Sequence, residues 1–268
     1  MDDPRTKAPG PDDTIAIAPY PVRVNGRAGT DSTKVLTSDR REPRLSRAFL
    51  KAGDLGAVFA QDAPALHVLS DAERAASLRE AMADRPDGDL WIFAYGSLIW
   101  NPTVQVVERR VARIDGWRRS FCLSSVAGRG SPLAPGVVLG LEAGGACDGV
   151  ALRLSEDGIE NELELLWRRE MATGAYTPRW VDLYDEAGQC FATGLTFTVD
   201  PDNERYAGRL PRELIVHRLA TAAGGLGTAA DYLFRTRDAL RDTGISDPEL
   251  ERLAISVART QALALAAE

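Results

Sequence analysis

The sequence contains few of the side chains that hold metal ions or form disulfides. Among 268 residues there are two histidines, His67 and His217, and three cysteines, Cys122, Cys147 and Cys190. The cysteines are odd in number and form no CxxC pair, so neither a zinc site nor a disulfide framework is indicated. We therefore expect no His/Cys metal cluster, and a histidine-activated nucleophile has few candidate bases.

Long apolar runs and an excess of basic residues are also absent from the sequence. No apolar stretch approaches the roughly 18 residues that a membrane-spanning helix needs. Residues 1–13, MDDPRTKAPGPDD, carry acids and prolines where a secretory signal has a basic end and an apolar block. The formal net charge of -7 argues against nucleic acid, whose phosphates need a basic surface. We therefore expect a cytoplasmic protein that spans no membrane and binds no nucleic acid.

The composition divides the chain into two parts. About the first 50 residues are rich in Pro, Gly, Asp, Thr and Arg, and we expect residues 1–69 to be a mostly flexible extension. Residues 70–83, SDAERAASLREAMA, predict a helix, because Ser70 and Glu73 have the spacing of a capping box. Residues 70–268 are therefore expected to form one folded domain that begins with this helix.

Within the expected domain, strand patterns come first and helix patterns come last. Short segments rich in β-branched and aromatic residues are separated by glycine or proline, at 91–97, 106–114, 117–125, 136–142 and 149–155. A predicted helix at 158–171 and a hairpin at 180–199 with Gly188 in its turn come next. Three predicted helices follow, at 212–224, 228–244 and 247–264. This order predicts an α+β fold with a small mixed β-barrel or curved sheet and flanking helices.

The helix predicted at 158–171 carries a glutamate on its apolar face. At about 100° per residue, Leu163, Leu166 and Trp167 fall in one stripe, and Glu170 falls in the middle of it. Burial raises the pKa of a carboxyl group, which suits a general base that works near neutral pH. In the alternative interpretation, the last helical turn leaves the core and Glu170 reaches water.

The other charged residues of this helix are expected to lie away from that stripe. Arg168 and Arg169 point away from Glu170 on the helical wheel, so neither is an obvious partner for it. The remaining acidic residues fall at the edge or on the outer side and are interpreted as solvated charges: Glu160, Glu162 and Glu164.

A Tyr-Gly-Ser turn, Tyr95 to Ser97, interrupts the strand that begins at Trp91. Gly96 lacks a Cβ, so the backbone can turn sharply there and approach a ligand closely. Consecutive N–H groups in such a turn can form a nest for a carboxylate or an oxyanion. A plain β-turn explains the same residues. Ser97 as a nucleophile would need a nearby base, and the domain offers His217 for that role.

Together these segments resemble a known family. FAYGSLIWNP, GWRRSFCL, GVALRL, ELLWRREMATGAYTPRW and AAGGLGTAADYLFRT follow one another between about residues 89 and 262. In this order they resemble the ChaC family of γ-glutamylcyclotransferases, and within it the glutathione-specific branch. The resemblance does not extend to the first 70 or so residues.

The resemblance implies a small mixed β-barrel with flanking helices and a defined set of site residues. Glu170 is expected to act as the acid and base, and Tyr206 either lines the pocket or is a core tyrosine. The family's loop binds the γ-glutamyl group and here consists of Ile92, Phe93, Ala94, Tyr95, Gly96, Ser97 and Leu98. One departure is Val137, where members often carry an arginine; if that arginine recognises the distal end of the substrate, its absence here weakens the expectation of glutathione specificity more than that of cyclisation.

The implied reaction is an intramolecular cyclisation. The α-amine of the γ-glutamyl group attacks its own side-chain amide and releases 5-oxoproline, with Cys-Gly as the second product when glutathione is the substrate. The reaction consumes no water and needs no metal or redox cofactor, so we expect no cofactor. Three alternatives stay open: a cyclotransferase for other γ-glutamyl amino acids or amines, a non-catalytic γ-glutamyl-binding module, and a serine hydrolase.

Overall fold

The computed structural model describes residues 45–267 of the chain. The elements in chain order are α1 (Arg47–Ala52), α2 (Asp54–Asp62), α3 (Asp71–Ala83), β1 (Trp91–Ala94), β2 (Val106–Ser125), β3 (Gly136–Leu154), α4 (Ile159–Glu170), β4 (Tyr176–Tyr184), β5 (Cys190–Val199), α5 (Arg212–Thr221), β6 (Ala223–Gly224), β7 (Gly227–Thr228), α6 (Ala229–Asp242) and α7 (Pro248–Leu265). The described helices include none that is long and apolar enough to cross a membrane.

Five strands close into a barrel in the order β1-β3-β2-β4-β5. The barrel closes because β1 pairs with β3 in the antiparallel direction and with β5 in the parallel direction. Fully buried apolar side chains from several strands fill the core, among them Ile92, Phe93, Leu152, Leu195 and Phe197. The predicted α+β fold with a small mixed barrel and flanking helices is therefore confirmed.

The two central strands are longer than the sequence predicts. Segments 106–114 and 117–125 were expected to be separate strands, yet both belong to β2, which pairs along its length with β3. A bulge between Asp115 and Trp117 accommodates Gly116, whose φ of 80° is in the left-handed region. Because a β-bulge absorbs an extra residue without ending the pairing, the glycine bends one continuous strand where the sequence predicts a break.

Most predicted helices are observed close to their expected bounds. The capping box of α3 is formed, since Ser70 Oγ accepts from the Glu73 N–H and the Glu73 carboxylate accepts from the Ser70 N–H. The helix predicted at 212–224 ends earlier, at Thr221. Ala223 and Gly224, which the sequence predicts to end this helix, instead form β6, which pairs with β7 in a two-stranded hairpin.

Two helices lie in the stretch that was expected to be a flexible extension. Leu50 of α1 and Leu55 of α2 are buried in one cluster with Leu165 and Ala172, which lie on and just after α4. Residues of α1 and α2, where the sequence predicts a flexible extension, therefore pack against α4. The expectation for residues 1–44 lies outside the described residues and stays a prediction.

Candidate active site

A cavity of about 400 Å³ opens where the turn after β1 meets the end of α4. Ser97 and Trp100 line it from the turn, and Glu170 lines it from the last residue of α4. Tyr176 of β4 and Tyr232 of α6 complete the inner wall. The apolar face of α4 packs on the barrel, so the helix delivers its terminal carboxylate to the end of the core.

The Glu170 carboxylate is largely removed from water. Its side chain is 14% exposed, and Oε1 accepts from Arg169 Nε at 2.8 Å. Burial raises the pKa of Glu170 above its ordinary value, and the Arg169 charge and hydrogen bond oppose part of that rise. A carboxylate with a raised pKa is a stronger base than a solvated one, so the position suits proton transfer near neutral pH. Its catalytic role stays a prediction.

Arg169 is the partner of Glu170, which corrects the helical-wheel interpretation. Its side chain is 3% exposed and reaches into the turn after β1, where Nη2 donates to Ser97 Oγ at 2.8 Å. Nη1 donates to the Asn101 carbonyl and to Thr103 Oγ1. The wheel places Cα atoms only, whereas a long arginine side chain can leave its own face to reach acceptors beside the helix. Arg169 thus connects Glu170 to the Tyr-Gly-Ser turn.

Glu162 is buried, so its interpretation from the sequence as a solvated charge is wrong. Its side chain is 4% exposed, and its carboxylate accepts from two guanidinium nitrogens of Arg47, one of them at 2.7 Å. It also accepts from the Gln105 N–H at 2.8 Å. The partner lies on α1, in the stretch expected to be flexible, so the sequence did not reveal the pair. Glu160 and Glu164 are exposed, as expected.

Three tyrosines lie near Glu170: Tyr95 and Tyr232, which are buried, and Tyr176, which is partly buried. The hydroxyl of Tyr95 donates to the Phe197 carbonyl at 2.8 Å, and that of Tyr176 donates to the Leu139 carbonyl at 2.9 Å. Burial is the largest cause that raises the pKa of each phenol, to about 12 for Tyr232. The three rings are therefore neutral at physiological pH and give the carboxylate a poorly solvated environment.

The predicted γ-glutamyl loop is partly in the cavity and partly in the core. Ser97 lines the cavity. Gly96 backs directly onto Tyr232, because a Cβ at this glycine would lie 2.9 Å from the tyrosine hydroxyl. The other members of the loop are buried in or beside β1 and do not line the cavity: Ile92, Phe93, Ala94, Tyr95 and Leu98. The structure therefore places Ser97 in the cavity with Glu170, whereas Gly96 lies behind the wall against Tyr232 and the other five are buried.

Replacing Gly96 by alanine should lower kcat/KM by about tenfold, because the added methyl group displaces Tyr232 from the cavity wall. The penalty should shrink in a Tyr232→Phe background, where the next contact of the new Cβ is Leu139 Cδ1 at 3.8 Å. Steady-state kinetics of the two single variants and the double variant measure this coupling. Equal penalties in both backgrounds would contradict the steric explanation.

Two further positions singled out in the sequence do not line the cavity. The Tyr206 hydroxyl donates to Glu142 Oε1 at 2.5 Å, and its backbone bridges to Leu123. The ring is partly buried and packs against the small cluster that contains Leu123 and Val199. Val137 is fully buried on β3.

The positive charge of the cavity was missed in the sequence. Among the described residues, its charged lining consists of four arginines and two acids: Arg129, Arg169, Arg205, Arg235, Glu170 and Asp231. This balance favours an anionic ligand. A partial signal was present on α6, where Asp231, Tyr232 and Arg235 have the spacing of one helical face.

Comparison with protein families agrees with this architecture. The model of the ChaC-like protein family matches residues 90–260. The chain is 41% identical over 214 residues to the glutathione-specific gamma-glutamylcyclotransferase of Escherichia coli K12, covering 80% of this chain and 92% of that protein. It is 34% identical over 170 residues to human glutathione-specific gamma-glutamylcyclotransferase 1, covering 61% of this chain and 77% of the human protein. The chain belongs to the ChaC family.

Among solved structures, the fold is similar to that of a yeast protein. A crystal structure of a selenomethionine-labelled γ-glutamylcyclotransferase specific to glutathione superimposes with a TM-score of 0.59 and 21% sequence identity. The superposition covers 65% of this chain and 97% of the yeast chain. At this identity the likeness supports the barrel fold.

Proposed function

We propose that the protein is a glutathione-specific γ-glutamylcyclotransferase, which converts the γ-glutamyl group of glutathione to 5-oxoproline and releases Cys-Gly. The observation that carries the proposal is the buried Glu170 carboxylate, held by Arg169 beside the Tyr-Gly-Ser turn in an arginine-rich cavity. The activity named for the E. coli relative, at 41% identity, supports the same conclusion. The expected cytoplasmic location stays a prediction.

Glu170 can serve as both base and acid in this reaction. It takes a proton from the α-amine, whose nitrogen then forms a bond to the side-chain amide carbon and closes the five-membered ring. The carboxyl group next returns a proton to the cysteinyl nitrogen as the original amide bond breaks. One carboxylate therefore serves both half-steps, no water is consumed, and Ser97 forms no covalent intermediate.

The turn after β1 supplies donors for the negative charge that develops on the amide oxygen. The N–H groups of Ile99 and Asn101 donate to the carbonyls of Gly96 and Ser97, which closes the turn. Among the described residues, no backbone acceptor outside the regular elements takes a hydrogen bond from the N–H of Ser97 or Leu98. These two groups are our candidates for oxyanion donors, and the turn would also hold the substrate in its bent conformation.

Incubation of the purified protein with glutathione should yield 5-oxoproline and Cys-Gly in equal amounts, as measured by mass spectrometry. Parallel incubations with γ-glutamyl-alanine and γ-glutamyl-lysine test the substrate range, because cyclisation of these in preference to glutathione would indicate a different leaving group. Binding of glutathione without 5-oxoproline would indicate a non-catalytic module. Inactivation by a serine-directed acylating probe would indicate a hydrolase.

A further inference from the structure

Two cavity arginines each lie near a different one of the tyrosines close to Glu170. The Arg129 guanidinium carbon lies 5.4 Å from the ring centre of Tyr232. Arg205 lies near Tyr176, where its charge opposes the burial-driven rise in the pKa of that phenol. Glutathione has two carboxylates, one on the γ-glutamyl group and one on glycine, and they flank the amide that breaks. Two separate cations in the cavity that holds Glu170 therefore match the two negative charges of this substrate.

Arg129 retains donors that face the cavity. Nη1 donates to the Thr228 carbonyl at 2.8 Å and lies 3.8 Å from Asp231 Oδ2, while Asp231 pairs more closely with Arg235, at 3.1 Å. Nε and Nη2 have no hydrogen-bond partner among the described residues. These two atoms are not fully buried. Among the described residues, Arg74 Nε is the side-chain nitrogen or oxygen that is both buried and without a hydrogen-bond partner, and the two Arg129 atoms do not belong to that group. The Arg129 side chain is 14% exposed, so these donors open into the cavity that it lines.

A carboxylate on α2 holds the loop that carries Arg129. Asp62 Oδ2 accepts from the Gly128 N–H at 2.7 Å and from the Gly225 N–H at 2.8 Å. Gly128 immediately precedes Arg129. Gly225 lies in the β6–β7 turn, close to Thr228, whose carbonyl accepts from Arg129. Asp62 thus joins the two backbone segments that orient the guanidinium.

The same helix forms part of the cavity wall. Phe59 of α2 lines the cavity and packs close to Gly128, where an added Cβ would lie 3.3 Å from the ring. Both α2 residues lie outside residues 90–260, the part of the chain matched by the ChaC-like family model. The helix therefore shapes the wall beside Arg129 from outside that region.

We propose that Arg129 binds the glycine carboxylate of glutathione through Nε and Nη2, and that Asp62 is the positioning residue that orients Arg129 for this contact. The proposal rests on the proposed function and assigns the recognition of the leaving group to a loop held by α2. Arg169 is not available for this role, because Ser97, Asn101, Thr103 and Glu170 already accept from its guanidinium.

The decisive experiment compares glutathione with its glycyl ethyl ester, which lacks the charge of the glycine carboxylate. The wild-type protein should have a kcat/KM about 10-fold to 100-fold higher for glutathione, the range expected for a hydrogen bond between charged groups. In Arg129→Gln this ratio should fall to within about threefold of one. The ratio is insensitive to partial misfolding, because an inactive fraction lowers both rates equally.

Arg205→Gln is the matched control, because it removes a cavity cation on the Tyr176 side. Its ratio of glutathione to ester should stay at the wild-type value. The proposal would be overturned if the preference for glutathione over the ester fell in Arg205→Gln and stayed at the wild-type value in Arg129→Gln. It would also be overturned if the preference fell equally in both variants, because that result would indicate a general effect of charge. An inactive wild-type protein would contradict the proposed function, whereas an active one with an unchanged Arg129→Gln ratio would overturn this inference alone.

Asp62 is tested through the same ratio. Asp62→Ala should lower the preference for glutathione over the ester, because the loop no longer holds Arg129 in place. Asp62→Asn keeps an oxygen that can accept from both glycine N–H groups, so its ratio should lie closer to that of the wild type. A loss of thermal stability in Asp62→Ala with an unchanged ratio would mean that Asp62 has a purely structural role.

Discussion

Glu170→Gln should lower the rate of 5-oxoproline release by about 10²-fold to 10⁴-fold, the usual contribution of a general acid and base. Glutamine keeps the shape of the side chain but cannot take the proton from the attacking amine. The variant should stay folded and still bind glutathione, since the turn after β1 and the cavity arginines are unchanged. Stopped assays with mass-spectrometric detection measure the rate, and calorimetry measures the binding.

Glu164→Gln is a suitable control for this substitution. Glu164 lies on the same helix and is exposed. Glu164→Gln therefore replaces a carboxylate by an amide, as Glu170→Gln does, but outside the cavity. Its activity should equal that of the wild type. Wild-type turnover by Glu170→Gln would remove Glu170 from the mechanism.

Arg169→Met should destabilise the protein by about 3–5 kcal/mol, because it leaves the buried Glu170 carboxylate without its partner. The acid limb of the pH profile of kcat/KM should also move to higher pH. The Arg169 charge lowers the pKa of Glu170, so its removal raises that pKa, and a higher pH is then needed to form the base. Denaturant titration measures the free energy of unfolding, and kinetics at several pH values measure the shift.

The neighbouring arginine provides the comparison. Arg168 is half-buried, and its contacts with the carbonyls of Leu50 and Lys51 are long, at 3.5 Å. Arg168→Met should therefore cost less than about 1 kcal/mol and leave the pH profile unchanged. Equal losses of stability in the two variants would contradict the special position of Arg169.

Local patterns predicted the parts of this protein that local interactions decide. The capping box of α3, the turn at Gly188 and the apolar stripe of α4 each depend on residues within a few positions of one another. The same stripe was sufficient to single out Glu170. The division of β2 was wrong because a glycine in a strand pattern marks either a break or a bulge, and the choice depends on pairing with β3.

Partners that are distant in the chain could not be predicted in this way. Glu162 is buried because Arg47 reaches it from α1, and Arg169 is buried because the turn after β1 offers it acceptors. Arg129 lies in a loop without periodicity, and its orientation depends on Asp62 of α2. Side-chain periodicity describes which face of an element is apolar but does not reveal which charged groups meet across the fold.

The seam between β1 and β5 has a consequence for folding. Trp91 pairs there with Gly194, so formation of the seam closes a long loop of chain. The chain loses the conformational entropy of that loop before the contacts of the seam contribute any stability. The Tyr-Gly-Ser turn follows β1 directly, and the Tyr95 hydroxyl anchors it to Phe197 on β5. During refolding, recovery of turnover should therefore lag behind the formation of the local β2–β3 hairpin.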